Sequence, residues 1–67
     1  MILFTSPECA GCARIKEQIE FDEVIDISTD AGFERAQKLR VRSVPTVIAY
    51  GTRFIGERAI VAQFGNK

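Results

Sequence analysis

The chain has 67 residues, with nine basic and nine acidic side chains that cancel, two cysteines and no histidine. That is room for a single domain over residues 1–67, one that buries only about 60% of its unfolded surface and has a thin margin of stability. Balanced, interspersed charge argues against nucleic-acid or polyanion binding, and no run approaches the ~18 apolar residues of a membrane-spanning helix.

Met1–Thr5 is short and continuously apolar, as suits a buried central strand. No basic segment precedes it, so it does not read as a signal peptide. Ser6-Pro7 breaks it. A helical pattern follows from Ala10 to Glu20, with Cys12, Ile15 and Ile19 on one face and Arg14, Lys16, Glu17 and Gln18 turned outward. Glu23–Ile27, rich in Val and Ile, predicts a second strand. Ser28-Thr29-Asp30 is a cluster of helix-capping residues, with Asp30 predicted as the cap. The second helix is predicted to run to Arg40 and to bury Phe33, Ala36 and Leu39.

Arg42-Ser43-Val44-Pro45 predicts a loop, because Pro45 has no amide hydrogen and belongs at the start of a strand. Thr46–Tyr50 is the third strand. Gly51-Thr52 predicts a type II′ turn into Arg53-Phe54-Ile55, and so an antiparallel hairpin. Gly56 ends the fourth strand. A last helix, Glu57–Phe64, buries Ile60, Val61 and Phe64 and stops at Gly65. Phe4, Phe33 and Phe64 are assigned to the core. The order is β-α-β-α-β-β-α: an α/β fold in which the first two strands, joined through a helix, run parallel.

The candidate chemistry rests on Cys9 and Cys12. A bridge between residues three apart closes too small a loop to staple a fold, and two cysteines do not make a disulfide-rich secreted scaffold. A zinc site needs four N or S ligands, which this chain reaches only if two copies share one. A reactive dithiol in a reducing, cytoplasmic setting is the better reading. Cys9 at the start of a helix gains from the free amides and dipole there, which favour a thiolate. Glu8 opposes that effect.

Cys9-Ala10-Gly11-Cys12-Ala13-Arg14-Ile15-Lys16, directly after the first strand, resembles the active-site helix of the glutaredoxins. Val41-Arg42-Ser43-Val44-Pro45-Thr46 resembles the loop of thioredoxins and glutaredoxins whose proline is cis and faces the cysteines. Together with the element order, this resemblance covers nearly the whole chain. It implies a minimal thioredoxin fold, a four-stranded mixed sheet flanked by three helices. The chain departs from the family at several points. Ala-Gly stands between the cysteines, Glu8 stands where thioredoxins place Trp, and Leu3 stands where they keep a buried Asp. Gly56-Glu57-Arg58 keeps only the first glycine of the glutathione-binding stretch.

The resemblance implies a dithiol–disulfide oxidoreductase, an electron carrier with Cys9 and Cys12 catalytic. Val44, Pro45, Thr46 and Gly56 are the implied substrate-binding positions. It implies a redox-active disulfide with no bound cofactor or metal, and recharging by glutathione or a thioredoxin-reductase-type enzyme. The implied partners are protein disulfides, with ribonucleotide reductase as one client class, met by a soluble cytoplasmic monomer. The alternative is a metal-binding module in which Cys9 and Cys12 of two chains share an iron–sulfur cluster or zinc.

Overall fold

The structure is a computed structural model that describes residues 1–65. It is α/β, with strands β1 (Ile2–Thr5), β2 (Glu23–Asp26), β3 (Thr46–Ala49) and β4 (Thr52–Ile55) and helices α1 (Ala10–Gln18), α2 (Asp30–Lys38) and α3 (Glu57–Phe64). The chain order of these elements matches the sequence expectation. The strands form one mixed sheet in the order β2-β1-β3-β4. β1 runs parallel to β2 and antiparallel to β3, and β3 and β4 form an antiparallel hairpin.

The apolar run of β1 explains its central place. Neighbouring residues of a strand point to opposite faces, and Leu3 and Phe4 are both fully buried. Leu3 packs with Ile15, Ile19, Val47, Ala49 and Ile60, so this cluster joins α1 and α3 to the sheet. Phe4 packs with Ile25, Ala36 and Val41, which brings in α2. Phe54 meets Phe64 edge-on at 5.0 Å and closes the rim of the first cluster, a favoured aromatic geometry.

Several boundaries differ from the sequence expectation. α1 stops at Gln18, not Glu20, because Ile19 turns to an extended conformation that keeps its side chain in the core. β2 stops at Asp26, whose Oδ1 accepts from the Ser28 amide at 2.8 Å and from its hydroxyl at 2.7 Å. This local turn competes with the ladder. The cap of α2 is Thr29, not Asp30. Its Oγ1 accepts from the Gly32 amide at 3.0 Å and donates to the Asp26 carbonyl at 2.9 Å. Asp30 instead opens the helix, where the dipole favours a carboxylate.

The buried face of α2 is also different. The helix buries Gly32 and Ala36, while Phe33 is 54% and Leu39 37% exposed. Gly32 lies so close to the Asp26 carbonyl oxygen that a Cβ there would overlap it, and this close approach turns Phe33 out of the core. α2 ends at Lys38, and Arg40 takes a left-handed φ of 59°. The guanidinium of Arg53, on β4, donates to the carbonyls of Leu39 and Arg40 and satisfies groups that the helix end leaves open.

The hairpin turn is Tyr50-Gly51, not Gly51-Thr52. Both turn residues have positive φ, 54° and 71°, the signature of type I′. Tyr50 leaves the strand and is exposed. The observed ladder sets Phe54 opposite Val47 and lets the Gly56 amide donate to the Pro45 carbonyl at 2.9 Å. Moving the turn would slide the ladder and lose that bond. α3 keeps its expected span and buries Ile60, while Val61 and Phe64 are half-buried at its edge. Among the described residues no helix is long and apolar enough to cross a membrane.

Gly32→Ala is expected to destabilise the fold by about 1–3 kcal/mol, the usual cost of forcing atoms into a packed site. A lowered urea midpoint with an unchanged slope checks this.

Candidate functional site

β1 delivers the chain to the site. After Thr5, the Ser6-Pro7-Glu8 turn is closed by the Cys9 amide donating to the Ser6 carbonyl at 3.2 Å. Cys9 is extended (φ −91°, ψ 101°) and is itself the N-cap of α1. Its Sγ accepts from the Cys12 amide at 3.1 Å, in the place where a Ser or Asp oxygen usually stands. One turn later Cys12 points inward and is 1% exposed, whereas Cys9 is partly exposed. The two are joined in a disulfide with Cα atoms 5.3 Å apart. The pair therefore has an outer sulfur at a helix N-terminus and an inner sulfur in the wall of the core.

β3 supplies the neighbouring loop. Phe4 pairs with Thr46, so the residues just before β3 lie beside the end of β1 that leads to the cysteines. The Val44–Pro45 bond is cis, as the resemblance implied. Pro45 is buried. Thr46 is also buried, and its hydroxyl donates to the Ser43 carbonyl at 2.8 Å, which ties the loop to the strand. Val44 is half-buried, and its backbone amide and carbonyl have no partner among the described residues. Gly56, with φ of 94°, reaches this loop through its bond to Pro45 and is the N-cap of α3.

One pair of residues at the site was missed at the sequence level. Arg14, assigned there to an outward-facing helix surface, donates from Nε and Nη2 to the two carboxylate oxygens of Glu57, each at 2.7 Å. The fork lies over Gly11, between the cysteines, where a Cβ would stand 3.0 Å from Glu57 Oε1. The hydrogen bonds from Arg14 hold the Glu57 carboxyl below its ordinary range, and those same bonds raise the Arg14 guanidinium. The pair is largely open to solvent, so it adds little to stability; its interest is where it puts charge. No local pattern reveals it, because its partners are 43 residues apart in the chain.

Arg42 is exposed on the loop before Val44 and, with Arg40 and Phe33, lines a groove of about 500 Å³. Among the described residues no three His, Cys, Asp or Glu side chains come together as a metal-ligand group. The chain matches no family model, no curated protein and no solved structure in the three comparisons made with known proteins.

Asp26, through its bonds from Ser28, and Glu57, through Arg14, are both held below the ordinary carboxylate range. Their unfolded values lie near 4, so their stabilisation is complete above that pH and is lost as pH falls through the lower folded values. The urea midpoint is expected to be flat from about pH 7 to about pH 5 and to fall below about pH 4. In Asp26→Asn that acid-side fall is shallower.

Proposed function

We propose that the chain is a dithiol–disulfide oxidoreductase of the thioredoxin/glutaredoxin kind, an electron carrier that reduces protein disulfides. The observation that carries this reading is the asymmetry of the cysteine pair. Cys9 caps a helix and is partly exposed, while Cys12 donates its amide to the Cys9 sulfur and is buried. The element order, the sheet order and the cis proline before β3 support a minimal thioredoxin fold.

In the reduced protein the Cys9 thiolate is stabilised by the Cys12 amide and the N-terminal end of the helix dipole. It attacks one sulfur of a substrate disulfide. A Cys9–substrate bond forms, the substrate bond breaks, and the departing thiolate takes a proton from water. Cys12 then gives up its proton and attacks the Cys9 sulfur, closing the protein disulfide and releasing the second substrate thiol. Two electrons pass from the dithiol to the substrate. With Leu3 fully buried below the site and no histidine in the chain, solvent or the departing thiolate receives the Cys12 proton.

The unpaired backbone of Val44 offers a hydrogen-bonding edge to an extended substrate segment. Pro45 and Gly56 shape that edge, and buried Thr46 holds it in place from behind. Two further thiols are needed to recharge the protein, from two glutathione molecules or from the dithiol of a thioredoxin-reductase-type enzyme. Ribonucleotide reductase is one client class implied by the resemblance.

An insulin-reduction assay tests the reading. Wild type is expected to turn over with an external reductant, and Cys9→Ser to fall to background. Cys12→Ser is expected to accumulate a mixed disulfide through Cys9, seen as a mass adduct that dithiothreitol removes. Full activity in Cys9→Ser would refute the proposal.

A further inference from the structure

The atom closest to where a side chain would project from Gly11, between the two cysteines, is a carboxylate oxygen. Glu57 Oε1 sits against Gly11, and the bidentate bond from Arg14 fixes it there. Glu8, next to Cys9 in the chain, is exposed and adds a second negative charge on the approach to the outer sulfur. Arg14 is the cation closest in sequence to Cys12, and both of its bonds are spent on Glu57. Lys16, Arg42 and Arg58 are exposed and have no ion-pair partner among the described residues, but none of them contacts Gly11 in the way Glu57 does. The second residue between the cysteines is a glycine, and any larger side chain there would press on the Glu57 carboxylate.

We propose that Glu57, pinned by Arg14 over Gly11, is a charge filter at the disulfide that disfavours anionic thiol donors relative to neutral or cationic ones. This rests on the redox reading above and narrows it. Glutathione, with its two carboxylates, belongs to the disfavoured class, and a thiol carried on a neutral or basic surface belongs to the favoured one.

The step concerned is reduction of the Cys9–Cys12 disulfide. A donor thiolate attacks the outer, partly exposed Cys9. The donor–Cys9 bond forms, the Cys9–Cys12 bond breaks, and Cys12 leaves as a thiolate that is protonated by water. A second donor thiolate attacks the donor sulfur of this mixed disulfide, releasing the donor disulfide and the Cys9 thiolate. Two donor thiols are oxidised and one protein disulfide is reduced. The incoming thiolate carries its own charge past Glu57 in the first step, so the barrier depends on the sign of that field.

Oxidised full-length protein would be reduced by cysteamine, mercaptoethanol or mercaptoethanesulfonate, with each rate corrected to equal thiolate concentration. The readout is the rate ratio of cysteamine to mercaptoethanesulfonate at low ionic strength. Wild type is expected to favour cysteamine. Glu57→Gln should lower the ratio by about threefold to fivefold, the size expected when one charge acts across water on two donors that differ by two charges. Added salt should shrink the difference. Arg14→Gln, which leaves the carboxylate without its counter-charge, should raise the ratio. The double variant Arg14→Glu with Glu57→Arg rebuilds the pair with reversed polarity and should take the ratio below that of wild type. A purely structural tie would instead restore the wild-type ratio in that double variant. Equal ratios in wild type and Glu57→Gln would overturn the filter while leaving the redox function standing. Failure of wild type to react with any of the three thiols would remove the redox reading itself.

Discussion

Helix α1 begins at a sulfur. The bond from the Cys12 amide to Cys9 Sγ does the work that a Ser or Asp side chain does at other helix starts, and the chemistry proposed for the chain depends on it. An N-cap side chain faces unsatisfied amides and the positive end of the helix dipole. A thiol in that position is therefore biased toward the thiolate by the same groups that start the helix. The spacing of the second cysteine follows from helix geometry. Three residues on, the chain has made about one turn, so Cys12 falls under Cys9 on the buried face with Ile15 and Ile19.

This arrangement is held in place by a strand that has no exposed face. Leu3 and Phe4 anchor β1 from opposite sides, one beneath α1 and α3 and the other beneath α2. β1 hands the chain directly to the Cys9 turn, and its antiparallel neighbour brings Pro45 to the same end of the sheet. The Gly56 amide on the Pro45 carbonyl brings in the start of α3, and Glu57 extends that contact to α1 through Arg14. Residues from the beginning, middle and end of the sequence thus converge at one edge. In a domain this small, the network that supports the site is also much of the fold.

The parts readable in the sequence were those with a local physical cause. The apolar run of β1, the cysteine spacing, the glycines around α3 and the proline that opens β3 each act within a few residues, and each marked its element correctly. What was not readable depended on contacts across the chain. Asp30 is as good a capping residue as Thr29, and only the Asp26 carbonyl, which engages the Thr29 hydroxyl, decides between them. Phe33 fits the apolar periodicity of α2, but the close seat of Gly32 on the β2 turn rotates it to the surface. A left-handed conformation at Tyr50 has no sequence signal, since that region favours Gly or Asn; the pairing of β3 with β4 imposes it. The Arg14–Glu57 pair likewise needed the packing of α3 on α1 to become visible.

The most direct measurement of the central claim is the relative alkylation rate of the two cysteines in the fully reduced protein, read by mass spectrometry of limited iodoacetamide labelling. The account predicts that Cys9 is labelled at least about tenfold faster than Cys12, and that its rate rises with pH through an inflection below the ~8.5 of a free thiol. Equal labelling, or Cys12 reacting first, would contradict the assignment of Cys9 as the nucleophile and with it the mechanism built on the helix cap.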